Sequence, residues 1–131
     1  MKSLENTYLE FTIERYCCLI PISHVKGIKE NGMWDQNFPV LCWEKLLGQP
    51  LMNRKRKYGI ILDIGKGLGI EADEVAGICE IGPERLLELI KPVRNQKNRF
   101  ISAAADMGDE RGMAYILSIT VLAEESDIIS E

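Results

Sequence analysis

One histidine, His24, serves a chain of 131 residues, and its four cysteines, Cys17, Cys18, Cys42 and Cys79, form no C-x-x-C pair. Structural zinc sites need paired ligands two to four residues apart, so this set is a poor one for zinc. Cys17 and Cys18 are adjacent and on a strand would face opposite sides. No G-x-S-x-G elbow accompanies Ser23 and His24, so Asp35, Asp63 and Asp73 have no local context as third members of a triad. A surface histidine at a strand edge and reduced structural thiols are the plainer readings. No apolar run approaches the roughly 20 residues of a membrane span. The opening MKSLENTYLE has no apolar core of signal-peptide length, which points to a cytosolic protein. Basic residues number 16 against 20 acidic, a net charge of −4, and this excludes the positive field of a general nucleic-acid surface. Internal repeats and low-complexity segments are absent as well. Gly65-Lys66-Gly67-Leu68-Gly69 has the glycines of a phosphate loop, but an apolar stretch follows where the motif G-x-x-x-x-G-K-[ST] requires a helix.

What is present is an ordinary globular mixture, 46% hydrophobic and 27% charged. The length favours one domain that needs no disulfide staples, with its core over about residues 7–124 and a frayed tail at 125–131. The organising stretch is Lys57 to Cys79. Ile60-Ile61-Leu62 and Leu68-Gly69-Ile70 read as short strands around a Gly65–Gly67 turn, and a third strand from Val75 to Ile81 is expected beside them. Upstream, Leu9, Phe11 and Ile13 alternate with Glu10, Thr12 and Glu14, the period of a half-buried strand. Glu14-Arg15 turns the chain into Tyr16–Ile20, and Pro21 ends pairing there or marks an edge. Val25–Glu30 is a further short strand, and Asn31-Gly32 a turn.

Trp43, Leu46 and Leu47 fall at helical spacing before Gly48. Gly82-Pro83-Glu84 reads as a helix start, with Leu86, Leu87 and Ile90 as its apolar face and Pro92 at its end. Phe100–Ala105 and Met113–Leu117 read as strands, and Ser118 as the cap of a closing helix, Ile119–Glu124. Eight to ten short strands and three short helices favour a mainly β barrel or sandwich over a βαβ layout.

Two features suggest a surface. Arg54–Lys57 is a four-residue basic run, in most proteins a solvated loop, that would steer an acidic partner. Trp34, just past the Asn31-Gly32 turn in polar surroundings, is the better candidate for an exposed anchor, whereas Trp43 fits a core face. With neither a catalytic constellation nor a cofactor motif, a binding or scaffolding module is favoured over an enzyme. A small thiol or metal enzyme built on Cys17, Cys18 or His24 is the alternative class.

The order of motifs resembles the CheW-like domain, the adaptor family of bacterial chemotaxis. The resemblance rests on Tyr8–Ile13, Tyr16–Ile20 and Val25-Lys26-Gly27-Ile28, on Pro39-Val40-Leu41-Cys42-Trp43 followed by Leu46-Leu47-Gly48, and on Ile60–Val75 with Gly69, Ile70, Asp73 and Val75 in place. It departs from the family where Glu30–Phe38 replaces a longer segment, and where Cys42 and Trp43 stand for the usual acid and leucine.

The resemblance implies two small five-stranded SH3-like barrels packed side by side, no cofactor and no catalysis. The implied partners are the regulatory domain of a CheA-type histidine kinase and the cytoplasmic tip of a chemoreceptor, gripped in a groove as helix-in-groove recognition. Neither nucleic acid nor membrane insertion is implied. Val25 and Ile28 are the groove candidates, with Pro39, Val40 and Leu41 supporting the same surface. Gly69 and Asp73 are expected to order the turn toward the third strand. A divergent scaffold for another kinase pathway, or a self-associating module, is the second reading.

Overall fold

The computed structural model describes residues 6–30, 39–44, 56–65, 67–88, 100–108 and 112–124. They form nine strands: β1 (Thr7–Ile13), β2 (Tyr16–Pro21), β3 (Val25–Glu30), β4 (Tyr58–Leu62), β5 (Leu68–Ala72), β6 (Glu74–Glu80), β7 (Leu86–Glu88), β8 (Ile101–Asp106) and β9 (Met113–Leu117). One α-helix follows, α1 (Ile119–Glu124), and single 3-10 turns occupy Ile22–His24 and Pro83–Arg85. Hydrogen bonding groups the strands into a six-stranded sheet, β6-β1-β2-β9-β8-β7, and a three-stranded sheet, β3-β4-β5.

β1 and β2 hold the two sheets in one architecture because both of their faces are buried. Leu9, Phe11, Ile13, Cys18 and Ile20 point into a first core shared with Ile60, Leu62, Leu68 and Ile70 of the small sheet. Tyr8 and Leu19 point the other way, into a second core with Ile81, Ala105, Met107, Ala114 and Ile116. The run Tyr16-Cys17-Cys18-Leu19-Ile20 has no polar alternation for this reason: a strand buried on both sides has no solvent face to supply. The expected mainly β, two-lobed fold is therefore present, with β1 and β2 contributing to both lobes. β1 itself corrects the half-buried reading, since Glu10, set on the polar side by the alternation, is only 8% exposed.

Three other expectations change. β6 does not lie beside β5. It pairs antiparallel with β1, Leu9 opposite Ile78 and Phe11 opposite Val75, and the third member of the small sheet is β3, paired with β4. The expected helix from Pro83 ends after one 3-10 turn, and Leu86–Glu88 becomes an edge strand against Ala103–Ala105. Arg56, read as part of a solvated basic loop, is 6% exposed. Of the short helix expected at Trp43–Gly48, only 43–44 are described, and these are helical. The Asn31-Gly32 turn, Trp34, the loop around Pro50, residues 90–98 and the tail lie outside the described residues.

The closing helix follows its sequence signals. Ser118 Oγ accepts from the Val121 amide at 3.3 Å, satisfying one of the unpaired donors of the first turn, and Leu122 is buried in the first core. Ser118→Ala is expected to cost about 1 kcal/mol. The effect would be read as a lower urea midpoint at unchanged slope.

Candidate functional site

The small sheet carries most of the residues singled out by sequence. Its β4–β5 hairpin closes through Gly65 (φ 55°) and Gly67 (φ 116°), positions that favour glycine, with the Gly67 amide donating to the Ile64 carbonyl at 2.7 Å. Beyond β5, residues 39–41 add a short parallel edge. The Gly69 amide donates to the Pro39 carbonyl at 2.9 Å, and the Leu41 amide donates to the Gly69 carbonyl at 2.8 Å. Proline is tolerated here because only its carbonyl is used. Leu41 is buried in the first core, whereas Pro39 and Val40 are half-buried at the surface. Trp43 is anchored beside them: its Nε1–H donates to the Glu71 carbonyl at 2.9 Å, and its ring lies 6.4 Å from that of Phe11.

Val25 and Ile28 sit on β3, at the opposite edge of this sheet. Val25 is half-buried against the first core, and Ile28 is 42% exposed. With β4 and β5 between them, the β3 pair and the Pro39–Leu41 edge are separated by three strand spacings, about 14 Å. The structure thus does not gather the sequence candidates into one continuous strip of this sheet. It leaves Ile28 as the outermost and most exposed member of the row Ile28–Ile60–Ile70. Three exposed apolar residues of the large sheet were not among the surface candidates: Ile78 on β6 (67% exposed), Leu87 on β7 (50%), read as a buried helix face, and Met113 on β9 (38%). β6 and β7 are edge strands, and edge position is set by pairing, which no local pattern encodes.

Asp73 stands at the crossing from β5 to β6 and ties three distant segments together. Its amide donates to the Thr12 carbonyl at 2.8 Å. Its carboxylate accepts the Glu14 amide at 2.6 Å and Arg56 Nη1 at 3.1 Å. Arg56 Nη2 in turn meets Glu14 Oε1 at 2.8 Å. Glu14 has a left-handed backbone (φ 54°) in the two-residue β1–β2 turn, a conformation that costs energy for any residue with a Cβ. The bond from its amide to Asp73 helps hold it there. Burial alone would lower the affinity of the Arg56 guanidinium for its proton. The hydrogen bonds and charges of Glu14 and Asp73 more than offset that and hold its pKa above the ordinary value. Lys57 and Glu74, 3.6 Å apart on the surface, form an exposed pair of little consequence.

The residues of the enzymatic alternative are dispersed. His24 is half-buried in the 3-10 turn, where its backbone carbonyl accepts from the Asp63 amide at 2.8 Å. Asp73 is committed to Arg56 and Glu14, and Asp35 lies outside the described residues. None of the four cysteines is in a disulfide, and the described residues contain no cluster of three His, Cys, Asp or Glu side chains arranged to hold a metal ion. Cys17 Sγ lies 3.7 Å from the Glu10 carboxylate. Burial, helped by the neighbouring Cys17, pushes the Cys18 thiol up to about 12. At pH 8 that leaves roughly one Cys18 in ten thousand as thiolate. A thiol reagent at pH 8 is therefore expected to modify Cys18 no faster than the protein unfolds, a prediction that mass spectrometry of timed samples checks.

Among the described residues no helix is long and apolar enough to cross a membrane. A family model described as CheW-like domain matches residues 34–127, from before β4 through α1. Among solved structures, the chain is similar to the crystal structure of scaffolding protein TtCheW from Thermoanaerobacter tengcongensis. The TM-score is 0.66, with 16% sequence identity, covering 86% of this chain and 88% of that one. At that identity the likeness speaks to the fold alone. No curated protein sequence matches the chain.

Proposed function

The chain belongs to the CheW-like domain family, and on that premise we propose that it is a non-enzymatic adaptor coupling chemoreceptors to a CheA-type histidine kinase in the bacterial cytoplasm. The observation that carries the reading is the double burial of β1 and β2, which joins two lobes into one stiff body while leaving edge strands with exposed apolar residues. Such a body works by geometry. It needs no group poised for proton or electron transfer, and the network of Glu14, Arg56 and Asp73 fits a structural clamp better than a reaction centre. The neighbouring structure's description as a scaffolding protein supports the same role.

On this reading Ile28 and Val25 on one edge of the small sheet, with Pro39 and Val40 on the other, are candidate contacts, supported from beneath by Leu41. Trp34 is a further candidate. Two partners that must be held at once are well served by two separate edges. Titration calorimetry of the purified chain with the kinase regulatory domain, and separately with a receptor cytoplasmic fragment, tests the proposal. Saturable binding to each is expected, and binding to neither overturns it.

A further inference from the structure

We propose that β3 is a self-pairing edge: a second copy of the chain adds its own β3 antiparallel to the first, with the twofold axis at Ile28. β3 is the terminal strand of the small sheet, and among the described residues no strand pairs with its outer side. Its sequence is Val25-Lys26-Gly27-Ile28-Lys29-Glu30, and Lys26, Ile28, Lys29 and Glu30 are all exposed. An antiparallel self-pairing centred on Ile28 sets Ile28 opposite Ile28 and, past the irregularity in β3 between Val25 and Gly27, brings Lys26 to the level of Glu30, twice by symmetry. Opposite charges directly across a ladder stabilise it, and like charges oppose it. Lysines commonly guard an edge strand against association, but here each lysine at position 26 meets an acid of the other copy.

Two further details favour a second copy as the occupant. In the small sheet Ile28 lies opposite Ile60, and Ile60 opposite Ile70, so one row of isoleucines crosses three strands. Ile60 and Ile70 are fully buried while Ile28 is 42% exposed. Self-pairing continues this row through Ile28 of the second copy and covers both exposed side chains. Gly27, set opposite Lys29 of the other copy, has open space where a Cβ would stand, which leaves room for that lysine stem. β6, the longer edge strand, lacks this complementarity: the same operation about its midpoint, Gly77, sets Glu74 against Glu80 twice.

The proposal goes beyond the adaptor reading and does not depend on it. A copy seated on β3 covers Ile28, so pairing and a partner at Ile28 exclude each other. Sedimentation velocity over a range of concentrations tests it, with circular dichroism confirming that each variant is folded. The wild type is expected to dimerise as concentration rises. Lys26→Glu and Glu30→Lys each turn two attractive pairs repulsive, and each is expected to weaken the dimer about thirtyfold. The double variant is expected to recover wild-type association to within about threefold. An equimolar mixture of the two single variants is expected to form a heterodimer, since one carries acids at both ends of β3 and the other bases.

A wild type that stays monomeric at every concentration overturns the proposal. So does a dimer indifferent to the reversals, or a loss that neither the double variant nor the mixture restores. Kinase binding by the two single variants, measured alongside, reports on the adaptor reading separately, because both retain Ile28.

Discussion

Arg56→Ala is expected to destabilise the fold by about 3–5 kcal/mol, the usual cost of removing one partner from a buried ionic group. The guanidinium is 6% exposed and satisfies two carboxylates at 2.8 and 3.1 Å. Without it the carboxylates of Glu14 and Asp73 lose the guanidinium that both of them meet. The loss is structural as well as electrostatic. Asp73 holds the amide of Glu14 in its left-handed turn, and that turn sets the register of β1 against β2. For a chain of this size the midpoint of thermal unfolding is expected to fall by roughly 10–20 °C. Arg56→Lys, which keeps the charge but loses the planar fork that reaches both carboxylates, is expected to fall between the two. Lys57→Ala, one residue along, removes an exposed pair and is expected to leave the melting curve unchanged. Equal melting points for the wild type and Arg56→Ala would show that the cluster contributes nothing.

Phe11→Ala is expected to cost a further independent 3–5 kcal/mol or so, as buried aromatic truncations do. Phe11 is fully buried on β1, opposite Cys18 on β2 and Val75 on β6, with the Trp43 ring 6.4 Å away. It is the largest fully buried side chain of the first core, where the two sheets meet. Its removal opens a cavity between strands whose hydrogen bonds resist collapse, so little of the volume is regained. Phe11→Leu, which retains most of the apolar contact, is expected to cost less than half as much. Chemical denaturation of both variants checks this, with tryptophan emission as the probe. Equal stability of Phe11→Ala and wild type would mean that the first core does not depend on this contact.

The elements easiest to read in the sequence were those whose signals are local. Met113–Leu117 and the Ser118-capped helix Ile119–Glu124 fall where the pattern placed them, because a cap and a short apolar run act over a few residues. The Gly65–Gly67 turn behaved the same way. What was not legible is pairing. β6 reads as a neighbour of β5 because it follows it, yet the chain crosses at Asp73 to reach β1, 60 or so residues earlier.

Leu86 and Leu87 carry apolar spacing that suits a helix, and the ladder with Ala103–Ala105 overrides it. Glu10 reads as solvent-facing because alternation assumes one core, whereas β1 serves two. Arg56 reads as solvated because its partners lie 42 positions before it and 17 after. Of the candidate surface, the exposure of Ile28 and the edge position of Pro39-Val40 became visible only with the sheet order. The family resemblance, carried by the order of motifs more than by any one of them, was legible throughout.

The claim on which the account turns is that one rigid body holds two partners together. It is tested most directly by sedimenting receptor assemblies, formed from a chemoreceptor cytoplasmic fragment, in the presence of a CheA-type kinase, with and without the chain. The account predicts that adding the chain raises the kinase recovered with the receptor and that the chain sediments with both. Kinase recovery that is the same with and without the chain, at concentrations that saturate either pairwise interaction, would contradict it.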